Sequence, residues 1–352
     1  MINLDEINQF KTIDKEDMYS HIIGLPDQLS KAWNLGMSLP LPDNKNIDRV
    51  IIGGMGGSAI GGDLIASYLF SMSSVPFIVQ RGYDLPSWAI GENTLVILSS
   101  HSGNTEETIS LFNQGLNNKC SLLAICTGGK LEALAKSNGV PIWKFEHKGQ
   151  PRAAIGFSFG LLLAFAYRMG LVEDQSKELT ETVTYIKEFQ KELTIDVPTI
   201  DNRSKRIAQD IYGRWITILG SGALSTVARR WKGQMSEVAK AWAQFEELPE
   251  ANHNSLAGIL NPNEVIDQMS VLFLTSDSDH EKNRKRTLFT KEILEEENIQ
   301  TQIINFPEKL LLVNMWSAIT LGDFVAYYLA MLYSVDPTPI PPIQNLKTKM
   351  SK

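Results

Sequence analysis

Residues 49–64 read RVIIGGMGGSAIGGDL, a short β-branched run that enters a cluster of glycines and leaves into an apolar segment. β-Branched residues suit a strand and glycines punctuate it, so the stretch predicts strand, tight turn, helix. The plan recurs on the C-terminal side. TLVILSSHSGNTEETISLFNQGL at 94–116 is an apolar strand, a Ser/Gly/Asn turn and a helix, and CSLLAICTGGKLEALAKS at 120–137 repeats the order. PIWKFE at 141–146 adds a short strand, and PRAAIGFSFGLLLAFAYRMG at 151–170 reads as a buried helix closing this half. Upstream, residues 1–48 read as polar helices broken by Pro26, Pro40 and Pro42. Strands alternating with helices at this spacing predict a parallel sheet covered by helices on both faces.

The second half starts the plan again. RWITILGSGALSTVARRW at 214–231 and VLFLTSDSDHEKNRKRTLFTKEIL at 271–294 are each strand, turn and helix, and TQIINFP at 301–307 is a third strand. VIIGGMGGSA at 50–59 lines up with ITILGSGALS at 216–225, and VILSSHSGNTEET at 96–108 with LFLTSDSDHEKNR at 272–284. One fold is used twice: an α/β chain of two doubly wound, flavodoxin-like parallel sheets. The expected division is an N-terminal domain over 1–170, a linker helix over 171–200 and a C-terminal domain over 201–352.

Bulk properties bound the function. The chain has 352 residues, room for two ordinary cores. A net charge of −7 without a basic block argues against general nucleic-acid binding. Cys120 and Cys126 lie in or beside an apolar run and read as buried thiols, with no disulfide framework and no zinc spacing. MINLDEINQF is not a signal peptide, and the apolar run LLVNMWSAITLGDFVAYYLAML is interrupted by Asn314, Gly322 and Asp323 and reads as a core helix. A cytoplasmic protein is expected.

Two turns carry chemistry. Gly53-Gly54-Met55-Gly56-Gly57-Ser58 offers backbone N–H groups and a helix N-terminus to an anion. A dinucleotide-binding turn and a plain tight turn are the rival readings; no Gly-Lys-Ser/Thr follows, so a P-loop is excluded. In the segment Ser99-Ser100-His101-Ser102-Gly103-Asn104-Thr105-Glu106-Glu107-Thr108, the four hydroxyls of Ser99, Ser100, Ser102 and Thr105 and a glycine lie between a strand and a helix, a set suited to a phosphate dianion. Helix capping by Thr105 alone is the rival there. Both turns fall at the carboxyl ends of parallel strands, where such folds bind ligands.

GGMGGSAIGGD followed by SHSGNTEET resembles the sugar isomerase (SIS) fold and, within it, the bifunctional phosphoglucose/phosphomannose isomerase family. Gln150-Pro151-Arg152-Ala153-Ala154, GQMSEVAKAWAQFEELPEANHNSLAG at 233–258 and DPTPIPPIQNLKTKM at 336–350 resemble three further family segments, in order. The resemblance implies interconversion of glucose 6-phosphate, and mannose 6-phosphate, with fructose 6-phosphate through a cis-enediolate. It implies that Gly57, Ser58, Ser100, Ser102 and Thr105 bind the sugar phosphate. Glu237 would move the proton between C1 and C2, His253 would help open the ring from a neighbouring subunit, Lys347 would assist at the ring oxygen or hydroxyl, and Arg152 would stabilise the enediolate. It implies no metal and no cofactor, a phosphorylated hexose as partner, and a homodimer. The chemistry agrees: one carboxylate can take and return a proton, a histidine serves ring opening near neutral pH, and a fixed cation steadies the oxyanion.

Each assignment has a plainer rival. Glu237 could pair with Lys240 or Arg230 on a helix surface; Glu247 and Glu250 compete as the base; Lys347 could be a solvated terminal lysine and Arg152 half of an ion pair. His21, His147 and His280 read as solvated. Ser236 and Val238 depart from the asparagines expected around the glutamate, and His101 departs from an expected aromatic. Thr338, in Asp336-Pro337-Thr338, is a candidate for letting C2 accept both epimers. The competing functions are a phosphosugar sensor without catalysis and a nicotinamide-dependent enzyme.

Overall fold

The computed structural model describes residues 2–44 and 46–350. They fall into two compact units, Gly24–Tyr185 and the combination of Met1–Ile23 with Ile186–Lys352.

In the unit 24–185, the apolar runs become β1 (Arg49–Gly53), β2 (Phe77–Gln80), β3 (Thr94–Ser100), β4 (Ser121–Cys126) and β5 (Ile142–Lys144). Every pairing is parallel, and among the described residues the sheet order is β2-β1-β3-β4-β5. All seven residues of β3 are buried, as expected for a central strand covered on both faces. The helices are α1 (Leu25–Gly36), α2 (Gly56–Leu69), α3 (Glu106–Asn117), α4 (Gly129–Ser137) and α5 (Ile155–Arg168). Leu111 and Phe112 of α3 and Leu131 and Ala135 of α4 pack on Ile51, Val96, Leu98 and Ala124, while α1 and α2 pack against the apolar α5. Strand order reverses between β1 and β3, and that crevice is where this topology holds ligands.

The second unit repeats the scheme with β6 (Trp215–Ser221), β7 (Ala243–Leu248), β8 (Met269–Ser276) and β9 (Gln300–Phe306), all parallel and ordered β7-β6-β8-β9 among the described residues. Here the order reverses between β6 and β8. Its helices include α6 (Arg203–Asp210), α7 (Ala223–Glu237), α8 (Glu281–Glu296), α9 (Leu311–Leu332) and α10 (Pro341–Met350). Helix α9 is long and apolar enough to cross a membrane by length and composition, yet the whole of its most apolar stretch is buried inside the protein; α6, α7 and the short helix Met18–Ile23 pack on it.

The division differs from the sequence reading at the N-terminus. Residues 1–23 join the second unit because their apolar side chains find the aromatic face of α9: Phe10 lies edge-on to Tyr327 with centroids 6.1 Å apart, and Tyr19 meets Phe324 at 6.2 Å. Within the expected linker, Ser176–Lys191 is helical and the boundary between the units falls inside it.

Candidate active site

Both turns of the first unit stand at its switch point, after β1 and after β3. Ser58, Ser99 and Ser100 are buried, Thr105 is partly buried and Ser102 is exposed. The turns touch: the Ser58 Oγ accepts a hydrogen bond from the His101 N–H at 3.3 Å. Thr105 occupies the N-cap position of α3, but its hydroxyl makes no capping bond. Its Oγ1 lies 2.9 Å from Ser100 Oγ, which also accepts from the Gly103 N–H at 3.1 Å. Capping alone therefore does not account for the hydroxyls. They form a small connected group beside the first turn of α3, whose leading N–H groups have no partner within the helix.

Two glycines make this packing possible. A Cβ on Gly103 would sit 1.7 Å from the Gly128 carbonyl oxygen, and its φ of +67° lies in the left-handed region. A Cβ on Gly57 would sit 2.6 Å from the Pro151 carbonyl oxygen. That second close approach brings the Pro151–Ala153 turn, with buried Arg152, against the glycine turn after β1. Gln28 holds the segment from the other side, its Nε2 donating to the Ala153 carbonyl at 2.7 Å. Gly57, Ser58, Ser100, Thr105 and the Arg152 segment are thus gathered by one unit.

His101 fits its aromatic niche: its ring lies edge-on to Phe145 with centroids 5.8 Å apart, and its Nε2 is 3.0 Å from His147 Nδ1. Burial pushes its imidazole below the ordinary histidine range. The expectation of a solvated His147 is corrected here. The chain leaving β5 carries His147 to the mouth of the turn, where it is only partly exposed. His280, by contrast, is exposed and caps α8 by accepting from the Lys282 N–H at 3.2 Å.

The second unit carries the remaining candidates. Glu237 is the last residue of α7 and is partly buried. Its helix is pinned to α9. Arg230 Nη2 donates to Asp323 Oδ2 at 2.6 Å, Gln234 Nε2 donates to Asp323 Oδ1 at 2.8 Å, and the Trp231 indole donates to the Ala318 carbonyl at 2.8 Å. Burial pushes the Asp323 carboxyl up, with Arg230 opposing it. Val238 is wholly buried, so this departure from the family pattern supplies a packing contact. The rival bases sit differently: Glu247 is exposed on edge strand β7, and Glu250 is exposed and accepts from Asn254 Nδ2 at 2.9 Å. His253 is exposed on the turn Glu250–His253. Its neighbour Asn252 fixes that turn to α8, donating to Thr290 Oγ1 at 2.7 Å and accepting from Arg286 at 3.3 Å. Lys347 is exposed, as is every residue of α10. Thr338 is buried, and its N–H donates to Asp336 Oδ1 at 3.0 Å.

The turn after β8 corresponds to the hydroxyl-rich turn after β3 but is filled from within. Asp279 Oδ2 accepts from the Ser276 N–H at 3.0 Å, and the Ser221 side chain also bonds this carboxylate. Ser276 Oγ lies 2.7 Å from Ser278 Oγ and accepts from Asn314 Nδ2 at 2.9 Å. A carboxylate of the chain itself thus takes the donors at the second switch point. Burial pushes Asp279 above the usual carboxylate range. Sequence reasoning aligned the two turns but missed Asp279, whose only signal was an aspartate where the first turn has a glycine.

Two parallel sheets, each with a hydroxyl-bearing strand-end turn at its switch point, define a two-domain sugar isomerase fold. The SIS domain model matches residues 45–142, and the model of the bacterial phospho-glucose isomerase C-terminal SIS domain matches residues 200–350. The fold is shared with a solved hypothetical protein from Thermus thermophilus, at a TM-score of 0.73 and 16% identity over 96% of this chain and 90% of that one. A bifunctional phosphoglucose/phosphomannose isomerase from Caldicellulosiruptor bescii is 36% identical over 95% of this chain and 99% of its own length. One from Aquifex aeolicus is 31% identical over 86% of this chain and 90% of its own. The chain belongs to the bifunctional phosphoglucose/phosphomannose isomerase family.

Proposed function

We propose that this protein interconverts glucose 6-phosphate and mannose 6-phosphate with fructose 6-phosphate. The observation that carries the reading is the cluster at the first switch point. Ser58, Ser100 and Thr105 lie close together beside the first turn of α3, joined through hydrogen bonds of the two turns, and the Arg152 segment is packed onto the same place. In this reading the cluster and the exposed Ser102 hold the phosphate. Glu237 moves the proton between C1 and C2 through a cis-enediolate, and Arg152 steadies the oxyanion. Lys347 acts at the ring oxygen.

His253 opens the ring in a neighbouring copy of the chain. Its exposure supports that role, as do the apolar side chains around its turn and the helix it is bonded to: Leu260 is 56% exposed, Leu288 52% and Phe289 60%. These suit a homodimer contact. The reaction proceeds without a metal. Free Cys120 and Cys126 suit a reducing, cytoplasmic setting.

The test is turnover of fructose 6-phosphate to both aldoses, with EDTA present, in wild type and Glu237→Gln. The variant should lose about two to four orders of magnitude in kcat, the usual contribution of a general base, while still binding the sugar phosphate. Wild-type protein that binds without turnover would make the chain a phosphosugar sensor instead.

A further inference from the structure

Lys240 stands three residues beyond Glu237 with a φ of +56°. That region is left-handed, where a helix C-terminus ordinarily takes glycine or asparagine and a lysine pays for its Cβ. The side chain supplies what glycine could not. Its Nζ donates to the Glu237 carbonyl at 2.6 Å and to the Val238 carbonyl at 3.4 Å. It also donates to the Pro337 carbonyl at 3.1 Å, 97 residues away in sequence. The first two acceptors are the last carbonyl of α7 and that of the Val238 cap, where the helix supplies no donor of its own, and an ammonium there offsets the negative end of the helix dipole. The third lies in the loop that carries buried Thr338 and leads into α10.

We infer that Lys240 is a positioning residue: its ammonium fixes the end of α7 that bears Glu237 against the Asp336–Thr338 loop, and so sets where the proton-moving carboxylate stands relative to that loop. The inference rests on Glu237 being the base. The rest of α7 is already held by Asp323 and Ala318 on α9. Loss of the ammonium should therefore leave the helix in place and free only its final residues. The consequence falls on alignment of the carboxylate, more than on substrate affinity.

The experiment compares Lys240→Gly, Lys240→Arg and Glu237→Gln in steady-state kinetics with fructose 6-phosphate, with thermal unfolding measured alongside. Glycine suits the left-handed backbone, so K240G should fold and unfold near the wild-type temperature; Lys240→Asn, which also tolerates that backbone, replaces it if it does not fold. The expected result is a kcat lower by about ten- to a hundredfold, as for a misplaced catalytic group, with KM within about twofold. K240R, which keeps a cation in reach of the carbonyls, should recover most of the loss. Wild-type kcat in K240G together with an inactive E237Q would overturn the inference alone. So would a fall in activity that only follows the unfolded fraction. Activity retained in E237Q would instead remove the base assignment, and this inference with it.

Discussion

The turn after β3 and the turn after β8 occupy the same place in two copies of one topology, each beside the point where strand order reverses. In the first, Ser100 Oγ and Thr105 Oγ1 face each other at 2.9 Å and Ser102 lies exposed beside them. In the second, the Asp279 carboxylate takes the Ser276 N–H at 3.0 Å and the side chains of Ser278 and Asn314 close on Ser276 Oγ. The same strand–turn–helix plan thus yields a cradle suited to an anion when the turn is glycine and hydroxyls, and a self-satisfied joint when it supplies its own anion. In the proposed reading, the duplicated fold carries the phosphate on one side and leaves the other side free to position Glu237 through α7.

The comparison breaks first at the glycines. Gly103→Ala puts a methyl 1.7 Å from a backbone oxygen at a positive φ, so it should destabilise by about 3 kcal/mol and abolish sugar-phosphate binding. Gly222→Ala, in the second unit, also has a positive φ of +53°, but its methyl would come no nearer than 3.9 Å to Asp279. With ψ at −129° its backbone also strongly favours glycine, so the change should cost about 2 kcal/mol, but it should leave binding intact. Thermal unfolding and calorimetric titration of the pair would check both; equal losses would remove the contrast.

A smaller effect separates the two turns by pH. A carboxyl whose folded-state pKa is raised binds its proton more tightly when folded. Its stabilising contribution is therefore fully present below the ordinary value of 3.8 and is lost as pH rises through the folded pKa. Asp279→Asn, neutral at every pH, should therefore unfold at a higher temperature than wild type at pH 7, within about 1 kcal/mol. The gap should close as pH falls through the Asp279 pKa. A gap independent of pH would show that the Asp279 charge is not what the turn balances.

Much of this was legible in the sequence. The β-branched runs and glycine clusters announce the strands and the turns after them, and the hydroxyls at 99–105 mark the cradle, because a strand-to-helix junction has local grammar. What could not be read depends on partners far along the chain. Arg230 finds Asp323 across 93 residues and Lys240 finds Pro337 across 97. Residues 1–23 carry apolar positions but no sign of which aromatic face will receive them. His147 looked solvated because nothing local shows that β5 ends beside His101.

In the proposed function one cradle of the two holds phosphate. Isothermal titration with fructose 6-phosphate tests it directly on wild type, Ser100→Ala and Ser276→Ala. One molecule should bind per chain, with affinity weaker by about tenfold or more in S100A, as expected when a hydrogen bond to a charged group is lost, and unchanged in S276A. Two molecules per chain, or equal losses in the two variants, would contradict it.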